Sequence, residues 1–532
     1  MKIQSRPILS LILLAFLPAS PLANAATPAR NSAETRTERY FESVRADPNL
    51  LLPFLREMPK GGDLHNHLAG SIYAESLIQW AAEAQDCVNP QAMDIERGPC
   101  NPPLRAASNA FSDPGLYGKL IDAFSMRNWQ YSGESGHDHF FATFGKYGQA
   151  TKDNVDKMLA ETASRAASQH EVYQELMHTP TGKDLDELAQ AVGWDDDFAR
   201  LQQKLIAAGL PQLLAAASRQ LRADEASRDH ILQCGTPAAD PGCQVEQRYL
   251  FQVARGKPKE MVFAEILSGF LMAGADPALV PPDPHMLGLN LVMPEDWYVP
   301  MKDFSLQMAM IDALHRRYPQ VHISLHAGEL VQGLVPPEGL RFHIRESVEV
   351  GHAERIGHGV DVMNEQDPLQ LLREMADRNV MVEICLTSNA VILGVSGPQH
   401  PLSEYIRAGV PVALATDDEG VSRSDMTHEY LRGAQDQKLT YLQLKKMART
   451  SLEHAFVSGA SLWSNGKDFI VVKECAKEAF GAKPVSPACR KLVDGSEKAS
   501  LQWQLEKQFR EFEARPWIPV SSGRAATRHV SN

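Results

Sequence analysis

"VHISLHAGE", residues 321–329, is a β-rich apolar run that ends in chemically active side chains, His326 and Glu329. An amphipathic helical stretch, "FSLQMAMIDALHRRY" (304–318), leads into it. The same pattern continues downstream in "RIGHGV" (355–360), "VMVEICLTSN" (380–389) and "VPVALATDDEG" (410–420), with the helical "PLQLLREMADRN" (368–379) between. Upstream, "EVYQELM" (171–177), "MVFAEILSG" (261–269) and "MLGLNLVM" (286–293) read as further strands. Strands alternating with helices imply a parallel sheet joined by crossover helices. With "GDLHNHL" (62–68) in front, the strands number eight. Eight βα units predict an α/β fold of the (β/α)8 TIM-barrel type, with its active site at the C-terminal strand ends.

The spacing shows where material has been added. The last five strand-to-strand steps run at roughly 25 to 35 residues, an ordinary βα repeat. The first two, about 110 and 90 residues, exceed what one crossover needs. The chain therefore divides into a leader (1–25), an N-terminal helical arm (26–57), a barrel (58–469) and a C-terminal extension (470–532). Insertions near 85–115 and 225–250 are expected over the barrel mouth.

The leader has the marks of a secretory signal peptide. Lys2 and Arg6 precede the apolar "ILSLILLAFL", and Ala23-Asn24-Ala25 forms an A-x-A cleavage site. No cysteine follows that site, so a lipid anchor is not expected, and an exported, periplasmic or secreted, protein is. Cleavage removes two basic residues and no acid, so the net charge of −13 becomes −15. An acidic chain without basic clusters argues against nucleic-acid or anionic-membrane partners. A neutral small molecule fits better. Of the seven cysteines, Cys87/Cys100, Cys234/Cys243 and Cys475/Cys489 form three close pairs, and Cys385 stands alone in an apolar run. An oxidising compartment favours the local bridges and leaves Cys385 a buried thiol, although connectivity is not decided by sequence.

In "KGGDLHNHLAGS" (60–71), His65 and His67 lie two positions apart and share one strand face. Alone, the pair reads more readily as two ordinary histidines, since short motifs recur by accident. His326, His358 and Asp417-Asp418 occupy comparable strand ends, where a histidine is commonly hydrogen-bonded and Asp-Asp commonly caps a turn. Taken together, the barrel topology delivers His65, His67, His326 and Asp417 to one rim, a zinc shell of nitrogen and oxygen donors with room for water.

"PKGGDLHNHLAGS", "HAGE", "RIGHG", "CLTSN" and "TDDEG", in this order, resemble the adenosine deaminases over roughly residues 50 to 460. The leader, arm and early Cys-bearing insertion are most similar to the secreted, growth-factor-related branch. The resemblance implies one Zn2+ per chain on His65, His67, His326 and Asp417, with His358 orienting the attacking hydroxide and assisting its deprotonation. It implies Glu329 as the acid at purine N1 and Asp418 as the N7 contact. The expected activity is hydrolytic deamination of adenosine or 2′-deoxyadenosine; another 6-aminopurine, or a secreted nucleoside-binding or signalling protein with incidental catalysis, is the alternative. The N-terminal arm is a candidate homodimer contact.

Three positions depart from the family pattern. Ala69 stands where an Asp usually approaches the ribose 5′-hydroxyl. In "NLVMPED", Asn290 replaces an Asp and Met293 a Gly beside purine N3. The zinc chemistry is untouched, whereas sugar recognition by Ala69 and pocket shape at Met293 differ. His343 and His352 are expected on a solvated helical surface. "HAE" (352–354) matches the H-x-E of cytidine-type deaminases, but the P-C-x-x-C that family requires is absent.

Overall fold

The computed structural model describes residues 32–484 and 486–518; the leader lies outside them. Eight strands form one parallel sheet in sequence order: β1 Gly61–His67, β2 Glu171–His178, β3 Glu246–Ala254, β4 Met286–Val292, β5 His322–Ala327, β6 Arg355–His358, β7 Met381–Ile384 and β8 Val412–Leu414. The sheet closes where β8 meets β1. Asp417 N–H donates to the His65 carbonyl at 2.8 Å, and His67 N–H donates to the Asp417 carbonyl at 3.2 Å. The architecture is the expected (β/α)8 barrel.

One expected strand is a helix. "MVFAEILSG" lies within the helix Lys259–Met272, whose residues from Val262 to Met272 are all buried. Outer helices Gly182–Val192, Phe198–Ala207 and Leu210–Ile231 pack over it, so no face needs polar residues. A helix covered on all sides loses its amphipathic period and cannot be told from a buried strand by pattern. The third strand is instead "EQRYLFQVA" (246–254), part of which fell inside the insertion expected at 225–250.

The three local disulfides are present, and Cys385 is a buried free thiol. Cys87–Cys100 pins a small antiparallel sheet (Cys87–Asn89, Asp94–Glu96, Arg105–Ala106) that packs against the helix Gly136–Thr151. Cys234–Cys243 does not cover the mouth. Its loop rests on the helix Val155–Ser168 and delivers Val245 to the first residue of β3. Strand N-termini all face away from the mouth, so this bridge lies at the base of the barrel.

The arm helices Ser32–Val44 and Pro48–Glu57 dock on the C-terminal helix Glu497–Glu513. Phe54 lies with its ring centre 5.0 Å from that of Phe512 and 4.9 Å from that of Trp517. Lys60 ties the arm to the barrel: its buried ammonium donates to the carbonyls of Leu55, Met58 and Gln169. Among the described residues, no helix is long and apolar enough to cross a membrane.

Candidate metal centre and pocket

His65 and His67 end β1, His326 lies on β5, and Asp417 follows β8. Their ligand atoms converge. His326 Nε2 lies 3.1 Å from His65 Nε2 and 3.2 Å from His67 Nε2. Asp417 Oδ1 lies 3.6 Å from His65 Nε2 and 3.3 Å from His67 Nε2. A tetrahedral ion with bonds of about 2.0–2.2 Å needs ligand–ligand edges of about 3.3–3.6 Å, so the donor set fits zinc.

Each imidazole is tethered through its other nitrogen. His65 Nδ1 donates to Glu383 at 2.6 Å, His67 Nδ1 to Gln252 at 2.9 Å and His326 Nδ1 to Asn290 Oδ1 at 2.8 Å. The Asn290 orientation is settled by the His326 backbone N–H, which donates to the same oxygen at 3.0 Å. Tethers of this kind leave Nε2 free to bind metal and hold each ring in direction. Asp417 is held similarly, its second oxygen accepting from the Ser388 hydroxyl at 2.5 Å.

The buried electrostatics point to a cation. Burial disfavours charge on His65, yet Asp417 and Glu383 outweigh it and push the ring up to about 10. A divalent ion displaces such a proton, because metal ligands must be deprotonated. Burial also opposes the Asp417 charge, but His65 and His67 hold that carboxyl well below its usual range.

Packing makes room for these groups through two glycines. A Cβ at Gly357 would come within 2.4 Å of the His65 ring, and one at Gly70 within 1.5 Å of Asp418 Oδ1. Asp417 (φ 60°) and His358 (φ 70°) sit in the left-handed region, which is costly for non-glycine residues and concentrates at functional sites.

Glu329 and Asp418 face the same space, and burial favours the neutral form of both. Burial, then the charges of Asp417 and Glu295, raise Glu329 well above the usual carboxylate range. Burial likewise raises Asp418, against the pull of His67. Asp418 Oδ1 and Glu329 Oε1 have no hydrogen-bond partner among the described residues, so both are available to a ligand.

His358 presents a defined tautomer. Leu402 N–H donates to His400 Nδ1 at 3.2 Å, leaving His400 Nε2 as the donor to Asn389 Oδ1 at 3.1 Å. The Asn389 amide therefore offers its NH2 to His358 Nδ1 at 3.1 Å. Neutral His358 carries its proton on Nε2, an atom without a hydrogen-bond partner among the described residues.

Every site residue expected from sequence lines this centre, including Ala69 and Met293 in the adjoining cavity of about 260 Å³. His343 does not lie on the surface. It is fully buried, stacks on Phe304 at 3.9 Å and donates to Glu295, which also accepts from the backbone N–H of Gly328 and Glu329. His352 is half-buried against Asp312.

Sequence reasoning missed the tethers Gln252, Glu383 and Ser388. Gln252 was hidden with the misplaced third strand. Glu383 carried a readable signal: a lone acid in "VMVEIC" sits on a buried strand, where a charge demands partners. It finds Arg355 at 2.7 Å and Ser324 at 3.0 Å.

The adenosine deaminase family model matches residues 286–461, from β4 to beyond β8. The adenosine deaminases of Serratia proteamaculans (strain 568) and Klebsiella pneumoniae (strain 342) are 37% and 38% identical over 139 and 138 residues. Each alignment spans 26% of this chain, and only 39% and 38% of the length of those relatives. Among solved structures, an Arabidopsis N6-mAMP deaminase is similar at 18% identity and a TM-score of 0.49, over 76% of this chain and 96% of that one.

Proposed function

We propose that the chain hydrolytically deaminates a 6-aminopurine nucleoside, adenosine or 2′-deoxyadenosine, with one zinc ion held by His65, His67, His326 and Asp417. The observation that carries this reading is the tethered donor set standing beside two buried carboxyls with unpartnered oxygens, Glu329 and Asp418. Zinc bound there would lower the pKa of a coordinated water to about 7 and so supply hydroxide near neutral pH.

The chain's own groups do the rest. Glu329 gives its proton to purine N1, which makes C6 more electrophilic. Protonated Asp418 donates to N7, an acceptor that a carboxylate would repel. The Nε2–H of His358 donates to the oxygen that adds to C6, holding it on the reacting face. That donor role differs from the deprotonating role the resemblance implies for His358. Water oxygen bonds to C6, the C6–N bond breaks, and the amino group leaves as ammonia, giving the 6-oxopurine.

A nucleoside-binding protein would need no buried acid at Glu329, which favours the enzyme. The deciding experiment is an ultraviolet assay of purified, zinc-loaded protein against a panel of 6-aminopurines, with and without chelator. Chelator-sensitive conversion is expected; no conversion of any member would overturn the reading. We also propose export, supported by the leader-like residues 1–25 and three local disulfides. N-terminal sequencing of the protein from its own cells should begin near residue 26, and retention of residue 1 would refute cleavage.

A further inference from the structure

The pocket has a polar floor and an apolar wall. His67, Gln252, His326, Glu329, Asp417 and Asp418 make the floor. The same cavity is also lined by Phe140, Phe141, Phe144, Met293, Trp297 and Ile392. None of the lining residues is Lys or Arg, so nothing there neutralises a phosphate. The wall is also braced. His137, on the helix that carries the three phenylalanines, bonds Asp296 at 2.9 Å and ties that helix to the loop bearing Met293 and Trp297.

Met293 is the most telling part of the wall. Its φ of 85° is a conformation that glycine adopts freely and a long side chain resists. Such strain persists only where the surroundings hold it, and it marks functional positions. Here the strained residue contributes a flexible thioether beside Gly256 and Trp297, at the pocket surface. Soft, unbranched methionine adapts to irregular apolar ligands.

Substrate geometry sets what meets this wall. C6 has to lie at the floor, so N9, on the far side of the purine, directs its substituent outward. A hydroxylated or phosphorylated group there would lose water without gaining partners. We infer that the site takes 6-aminopurine nucleosides whose 5′ end is apolar, such as 5′-deoxy or 5′-alkylthio derivatives, in preference to adenosine or its 5′-phosphate. This inference rests on the deaminase reading of the same site.

The test compares kcat/KM of the zinc-loaded protein for adenosine, 5′-deoxyadenosine, 5′-deoxy-5′-methylthioadenosine and adenosine 5′-monophosphate. The methylthio compound should exceed adenosine by about tenfold or more, the scale of a small apolar group in a fitted pocket. 5′-Deoxyadenosine should at least equal adenosine, and the monophosphate should fall about a hundredfold or more below it. Adenosine equal to or better than the methylthio compound would overturn the inference. Calorimetric titration of the Glu329→Gln protein with the same four compounds reads the wall without turnover. If nothing is deaminated but the binding order holds, the deaminase reading fails and the wall assignment stands; equal or tighter adenosine binding refutes the wall.

Discussion

The backbone N–H of Asp417 donates to the His65 carbonyl at 2.8 Å, so the last barrel strand joins the first at two residues whose side chains face one another across the metal centre. Closure of the sheet and assembly of the donor set are therefore one event. A chain whose β8–β1 seam is open has no site.

Removing one ligand should abolish metal binding and activity together. His65→Ala, His326→Ala and Asp417→Ala each delete one donor of the converging set. Elemental analysis should find less than about a tenth of the wild-type zinc, the tenfold scale seen even for lesser changes around metal sites. Full occupancy in any of the three would refute that ligand.

Glu329→Gln separates binding from chemistry. Zinc content should match wild type and purine nucleosides should still bind. Turnover should fall by about two to four orders of magnitude, the usual worth of a positioned acid. Near-normal kcat would place the acid elsewhere.

The pH dependence follows from the same carboxyl. Burial and the charges of Asp417 and Glu295 raise Glu329, against Arg255 and His65, so it keeps its proton through ordinary carboxylate pH. Activity needs that proton and is lost as pH rises through the raised pKa. Glu295→Gln removes one of the facing charges and lowers that pKa. The alkaline limb of kcat/KM should move to lower pH; a shift upward would contradict the assignment.

Asn389 tests the His358 tautomer. An Asp at this position accepts from His400 and also from His358 Nδ1, which draws the proton off Nε2. Asn389→Asp should keep zinc and KM near wild type while kcat drops about tenfold to a hundredfold, the scale of a lost donor to developing charge. Imidazole nitrogen NMR should show the tautomer reversed; unchanged shifts with a normal kcat would refute the relay.

Cys385 has no exposed surface, and burial pushes its thiol well above the usual range. Native protein should resist a thiol reagent, and unfolding without reductant should release one thiol per chain. Rapid labelling of the folded protein would place Cys385 elsewhere.

Much of this was legible in the chain itself. Strands that end in His326, His358 and Asp417 announce themselves, because an apolar strand has a local pattern and a polar residue at its tip breaks it. Helix Lys259–Met272 and strand Glu246–Ala254 were not legible, because three outer helices bury the helix on every side and erase the period that would have marked it. The same failure hid Gln252. Tethers such as Glu383, Asn290 and Ser388 belong to the ligands only through contacts between strands, and His343 is interior only because Phe304 and Glu295 cover it. Sequence alone determined which residue types stand at the strand ends, and so the chemistry available, because strand periodicity and chain order are local properties. Tertiary structure decided which nitrogen of each imidazole faces the metal, which acids stay protonated and how apolar the far wall is, because those depend on partners and burial contributed from distant parts of the chain.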